Sequence, residues 1–234
     1  MSYFSGVFGS LLGFIYGAVG SYGIAIIFLT IIIKVLLLPL SISQIKQTKK
    51  MGLVQPKLKE LQAKYKNDKE ALNAKTLELY SEHKMNPLSG CLPLLIQFPI
   101  LIGLFGTLRE PIVHVFNGDA AMATQALSQG FLWMSDLSVP DMLGNVIPNL
   151  TGIIATLLGI LPIVAAITTY FQMASASSGQ QNDQMKMMAT MMPIMILVMG
   201  RTMSGGLVLY WTVSNVFQMF QQLLITKLIK EESK

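Results

Sequence analysis

Lys34 is the residue from which chemistry can be built. It stands in the run Ile31-Ile32-Ile33-Lys34-Val35-Leu36-Leu37-Leu38, which offers its charge no partner. At the centre of a membrane-spanning helix such a charge costs about 2.5–3.5 kcal/mol on insertion scales. Its Cα lies seven residues before Ser41, roughly 10 Å from that end at the rise of an α-helix. Two readings follow. The ammonium can snorkel to headgroups, or it can face a wet cavity inside a bundle.

Polar side chains that could line such a cavity occur on other apolar segments. Gln97 sits mid-segment, and Thr168 and Gln172 sit late in another. Tyr210, Trp211, Thr212, Asn215 and Gln218 follow in the last one. Trp211 and Asn215 are four apart and Asn215 and Gln218 three apart, so they share one helix face. Each alone also fits ordinary hydrogen bonding between helices. Several together with a buried lysine favour a hydrophilic groove.

Other chemistries are not supported. No carboxylate lies in any apolar segment, although proton relays and cation-coupled sites usually need one. There is no nucleophile–base pair and no phosphate loop, so no enzyme is expected. Cys91 is the single cysteine, and His83 and His114 are isolated in sequence, so neither a metal nor another cofactor is expected.

The elements that must hold these residues are membrane helices. The chain is 52% hydrophobic and 12% charged, about half the charge a soluble domain carries. The hydropathy pattern predicts an all-α polytopic membrane protein, a bundle of five spans. Residues 1–20 read as an amphipathic interfacial helix, and 21–41 as the first span. Residues 42–87 read as a cytoplasmic helical hairpin, broken at Asn67-Asp68-Lys69-Glu70, with Asn67 as N-cap and Glu70 reaching back. The second span is expected at 88–108, containing Pro93 and Pro99, and an extracytoplasmic loop at 109–146. A third span at 147–173, a cytoplasmic linker at 174–184 and a fourth span at 185–203 follow. An outer turn at 204–206, a fifth span at 207–229 and a cytoplasmic tail at 230–234 complete the chain. Ten of the seventeen basic residues fall within 41–88. By the positive-inside rule that stretch is cytoplasmic, which puts the N-terminus outside and the C-terminus inside. Eight methionines crowd 185–203, with Met188, Met192, Met195 and Met199 on one stripe. Methionine is adaptable enough for variable partners and is also an ordinary packing residue.

Three motifs resemble the YidC/Oxa/Alb membrane-protein insertase family, in its short Gram-positive form. They are Asn86-Pro87-Leu88-Ser89-Gly90-Cys91-Leu92-Pro93 with Leu94 to Ile100, then Phe131-Leu132-Trp133-Met134-Ser135-Asp136-Leu137 with Pro140-Asp141. The last is Met192-Pro193-Ile194-Met195 with Gly206 to Trp211 and Ser214-Asn215. The resemblance implies a five-span core whose groove opens to cytoplasm and lipid and is closed outward. It implies that Lys34 attracts acidic, hydrophilic ends of clients, with Gln97 and Trp211 in the same groove. The family usually has arginine where this chain has Lys34, and often Pro-Ala-Gly where it has Ser204-Gly205-Gly206.

The implied function is a membrane-protein insertase and chaperone in the bacterial cell membrane. Nascent membrane-protein clients and lipids are its expected partners. Ribosome and Sec translocon are candidate partners, and no nucleic-acid readout is expected. The rival readings are a small anion transporter with Lys34 as counter-charge and an assembly scaffold without insertion activity.

Overall fold

Two breaks in the apolar pattern, at Pro39 and near Pro162, decide where the helices begin and end. The computed structural model describes residues 2–83, 92–147, 152, 158–176 and 183–231. The predicted hairpin end at Asn86-Pro87, Cys91 and Pro148 lie outside these residues. So do the centre of the 174–184 linker and the last three residues of the tail.

Helix α1 spans Ser2–Val19 and α2 spans Tyr22–Leu36. Leu37 leaves helical geometry, and α3 then runs Leu38–Lys64 at 63° to α2. The break falls inside the segment 21–41 expected as the first span. Pro39 is the cause: it has no amide to donate to Val35, and its ring crowds that carbonyl. Lys34 is thereby placed in the last turn of α2.

Helix α4 covers Lys69–Glu82 and packs back on α3 through Val54, Leu58 and Leu79. Its N-cap is Asp68, whose carboxylate accepts from the Ala71 amide at 2.9 Å. The expected cap at Asn67 is therefore one residue early. Glu70 sits in the first turn, where a negative charge suits the helix dipole.

Helix α5 spans Leu92–Arg109 and continues through Pro99. The loop beyond it carries α6 (Pro111–His114), α7 (Ala120–Ser128) and α8 (Leu143–Val146). Helix α9 covers Ile160–Ala176, α10 covers Asp183–Gly200 and α11 covers Gly205–Glu231. A single helix starting at 147 is not observed, because Ile147 is extended and Leu158 and Gly159 are non-helical. Pro162 falls in the first turn of α9, where its missing amide costs nothing. The predicted turn at 204–206 is shifted to 201–204, since Gly205 and Gly206 already belong to α11. No strand occurs among the described residues, only an isolated bridge between Phe131 and Met134.

Helix α1 packs along α5 and α2. Ser5, Gly9, Leu12 and Ile15 face inward, while Tyr3, Phe4, Val7 and Phe14 face out. The inward side includes Gly9 because small residues let helix backbones approach. Thr107 Oγ1 reaches the Ser5 carbonyl at 2.9 Å across this interface. A Cβ on Gly9 would run into the His114 carbonyl, whereas one on Gly17 would meet open space. Gly9→Ala is expected to cost about 1–3 kcal/mol, as overpacking does, and Gly17→Ala to be neutral or stabilising. Thermal melts of the two purified variants check this.

No single described helix is long and apolar enough to cross a membrane; the bent pair α2 and α3 passes that test together. Large apolar side chains nonetheless cover the outside of the helices, among them Phe28, Phe171, Val198, Phe220 and Leu224.

Candidate functional site

The inward face of α2 carries Ile26, Thr30, Ile33 and Lys34, all buried. The outward face carries Ile31, Ile32, Val35 and Leu36, with Leu36 72% exposed against 7% for Lys34. The charge is turned in and the hydrocarbon out, the reverse of a water-facing helix. This orientation does not fit a lysine pointing from the outer surface of α2 toward headgroups. Lys34 makes no ion pair or hydrogen bond with the other described residues. Its place in the last turn of α2 aligns its charge favourably with the helix dipole.

Helix α2 packs against α11, and α11 packs against α5 and α9. The polar residues of α11 therefore meet several neighbours. Gln97 on α5 donates to the Tyr210 hydroxyl at 2.9 Å. Asn215 donates from Nδ2 to Thr169 Oγ1 at 2.7 Å and lies 3.3 Å from Thr168 Oγ1. Thr212 uses its hydroxyl on its own helix, donating to the Val208 carbonyl at 2.9 Å. Trp211 and Gln218 are half-buried, and Trp211 packs against the apolar core.

The predicted set is thus joined in two pairs. Gln97 and Tyr210 tie α5 to α11, while Asn215 ties α11 to α9. Lys34, Trp211 and Gln218 are not hydrogen-bonded to either pair among the described residues. One contributor, Thr169, was not singled out, although it adjoins Thr168; Ser214, quoted only as part of a motif, is buried one turn beyond Tyr210. A double-mutant cycle with Gln97→Leu and Tyr210→Phe is expected to show coupling of about 0.6 kcal/mol, the average for membrane hydrogen bonds. Melting temperatures of the four proteins measure it.

The segment 131–141 lies against the ends of α2, α9 and α11. The Gly205 amide donates to the Val139 carbonyl and the Gly206 amide to the Leu137 carbonyl, both at 2.9 Å. The first two amides of α11, which have no partner inside their helix, are satisfied this way. A Cβ on Gly23 of α2 would strike the Phe131 ring. Asp141 is 4% exposed and accepts from the Leu161 amide at 2.6 Å and from Trp133 Nε1 at 3.2 Å. It caps α9 from a distance of 20 residues, so one loop holds α2, α9 and α11. The sequence reading noted Pro140-Asp141 only as part of a motif, because no local pattern reveals so remote an amide.

The arrangement offers a buried cation and hydrogen-bonding groups behind an apolar exterior. It offers no cluster of three or more metal-ligating side chains among the described residues.

Comparison with known proteins points one way. The family model described as 60Kd inner membrane protein matches residues 14–232. The chain is 40% identical over 209 residues to a protein named membrane protein insertase YidC from Fusobacterium nucleatum, covering 89% of this chain and 88% of that one. It is 40% identical to membrane protein insertase YidC 1 of Listeria monocytogenes, covering 91% of this chain and 67% of that one. A YidC from Chlorobaculum parvum is 39% identical over 92% of this chain, which spans only 35% of that longer protein. A crystal structure described as an active YidC insertase with the first transmembrane domain resolved superposes with a TM-score of 0.63. It is 25% identical, and the match covers 94% of this chain and 45% of that one.

Proposed function

This chain belongs to the 60Kd inner membrane protein family, alongside the YidC insertases, and from that premise we propose that it inserts membrane proteins through a groove built around Lys34. The polar leading segment of a client enters from the cytoplasm and is drawn to the ammonium. Gln97, Tyr210, Trp211, Thr212, Asn215 and Gln218 give its polar groups partners partway across the membrane. The client's apolar helix then passes into lipid along the greasy flank of α9 and α11, where Ile167, Phe171, Phe220 and Leu223 are exposed. Transfer of that helix out of water drives the step. No covalent bond is made or broken, and no nucleotide is consumed.

In this reading α2 with the start of α3, α5, α9, α10 and α11 cross the bacterial cell membrane. The N-terminus is outside, and the lysine-rich hairpin and the C-terminus are inside. The loop 131–141 is the outward seal, so the groove opens toward cytoplasm and lipid. The hairpin engages clients or the ribosome.

The observation that carries the proposal is the inward turn of Lys34 against its outward apolar neighbours. An anion transporter would use the same cation, but no second feature of the site favours it. Photo-crosslinkers at Lys34, Gln97 and Trp211 are expected to capture a nascent single-span client during insertion. Active insertion with no crosslink from any of the three positions would refute the groove.

A further inference from the structure

We propose that the face of α3 bearing Lys46, Lys49, Lys50 and Leu53 docks on the anionic headgroups of the cytoplasmic leaflet. The inference rests on the reading above, in which α2 with the start of α3 crosses the membrane and the rest of α3 emerges in the cytoplasm.

Positions 46, 49, 50, 53 and 57 recur at three- and four-residue spacing and lie on one side of the helix. All five side chains are exposed, Leu53 at 77%. The adjoining side of α3 buries Val54 and Leu58 against α4. Leu53 is therefore turned away from the hairpin's own small core.

Charge is segregated along the hairpin. No acidic residue occurs from Leu38 to Lys59; the first is Glu60, and Asp68, Glu70, Glu78 and Glu82 follow in the turn and α4, mixed there with Lys66, Lys69 and Lys75. A face that only needs to be solvated mixes both signs. A run of lysines close to a membrane-spanning helix is attracted to anionic lipid. The leucine among them distinguishes a bilayer from an RNA backbone. It can enter the acyl boundary while the lysines stay with the phosphates, whereas a phosphate backbone offers it nothing. Lys57 continues the face, but its Nζ lies 3.4 Å from His83 Nε2 and leans toward α4, so the first three lysines carry the contact.

The bend supplies the geometry. At 63° from α2, α3 runs about 27° from the membrane plane when α2 stands along the normal. An ordinary helix tilt of about 20° brings it nearly parallel to the surface.

The test uses Cys91→Ser with Leu53→Cys carrying an environment-sensitive fluorophore, in the full-length protein reconstituted in vesicles. Nitroxide-bearing lipids are expected to quench the label when about a third of the lipid is phosphatidylglycerol, and to fail in pure phosphatidylcholine. Replacing Lys46, Lys49 and Lys50 by glutamine should remove the quenching, each lysine weakening docking about fivefold. A label that stays open to aqueous iodide in anionic vesicles overturns the proposal. So does one shielded only when ribosomes are added, which would make the face an RNA surface. The same label at Ile32→Cys should be quenched in both lipids. If only Leu53 fails, the docking falls and the spanning reading stands; if Ile32 also fails, both fall.

Discussion

Lys34→Glu is expected to cut insertion of clients with an acidic leading segment about a hundredfold, while Lys34→Arg keeps insertion near the wild-type rate. The size follows from the geometry. Lys34 is buried with no carboxylate paired to it among the described residues, so its attraction is available to an incoming acidic group. Reversing the sign places two like charges together in a partly desolvated site, which costs several kcal/mol. Roughly 3 kcal/mol corresponds to a hundredfold change in rate. Arginine preserves the charge and adds a forked donor set suited to carboxylates. Lys34→Ala should fall between them, since it removes the attraction without adding repulsion. Protease protection of a client inserted into proteoliposomes reads all three variants. Equal insertion by wild type and Lys34→Glu would remove charge attraction from the mechanism.

Asp141→Ala is expected to give the largest loss of stability outside the apolar core, about 3 kcal/mol. The substitution leaves the Leu161 amide and the Trp133 indole without the acceptor they share. Each buried donor left unpaired costs about 1–3 kcal/mol. For a chain of this size 3 kcal/mol corresponds to a fall in melting temperature of about 6–12 °C. Asp141→Asn keeps one carbonyl oxygen for the Leu161 amide and should lose about half as much. Trp133→Phe removes one donor together with its need and should lose less again. Melting of the purified proteins, followed by circular dichroism, orders the three. An unchanged melting temperature for Asp141→Ala would mean that the loop is not held to α9 in this way.

These two residues also mark how far the sequence could be read. Lys34 was legible because a charge in a long apolar run is expensive wherever the helix lies. Its direction was not legible, since Ile33 and Val35 give no sign of which side meets protein. The tie between Gln97 and Tyr210 spans 113 positions, and each residue was singled out without its partner. Asp141 was hidden for the same reason, as its amide lies on a helix whose start the sequence placed too early. Pro39 is plain in the sequence, but whether a proline ends a helix or bends it depends on what packs around the freed carbonyl. Asn67 and Asp68 are both good caps, so only the backbone decides between them. The methionines of α10 were read as one stripe through Met188, Met192, Met195 and Met199. The exposed ones include Met187, Met191, Met195 and Met199, while Met192 packs against the core. A helix apolar all round does not reveal its inner face by pattern.

In the proposed groove, Lys34 meets the polar leading segment of the client by charge. A charge swap tests it most directly: Lys34→Glu is assayed with a client whose acidic leading residues are replaced by lysine, beside the unaltered client. The variant is expected to insert the lysine-led client and fail on the acidic one, while the wild type does the reverse. A variant that inserts both clients as the wild type does would contradict it.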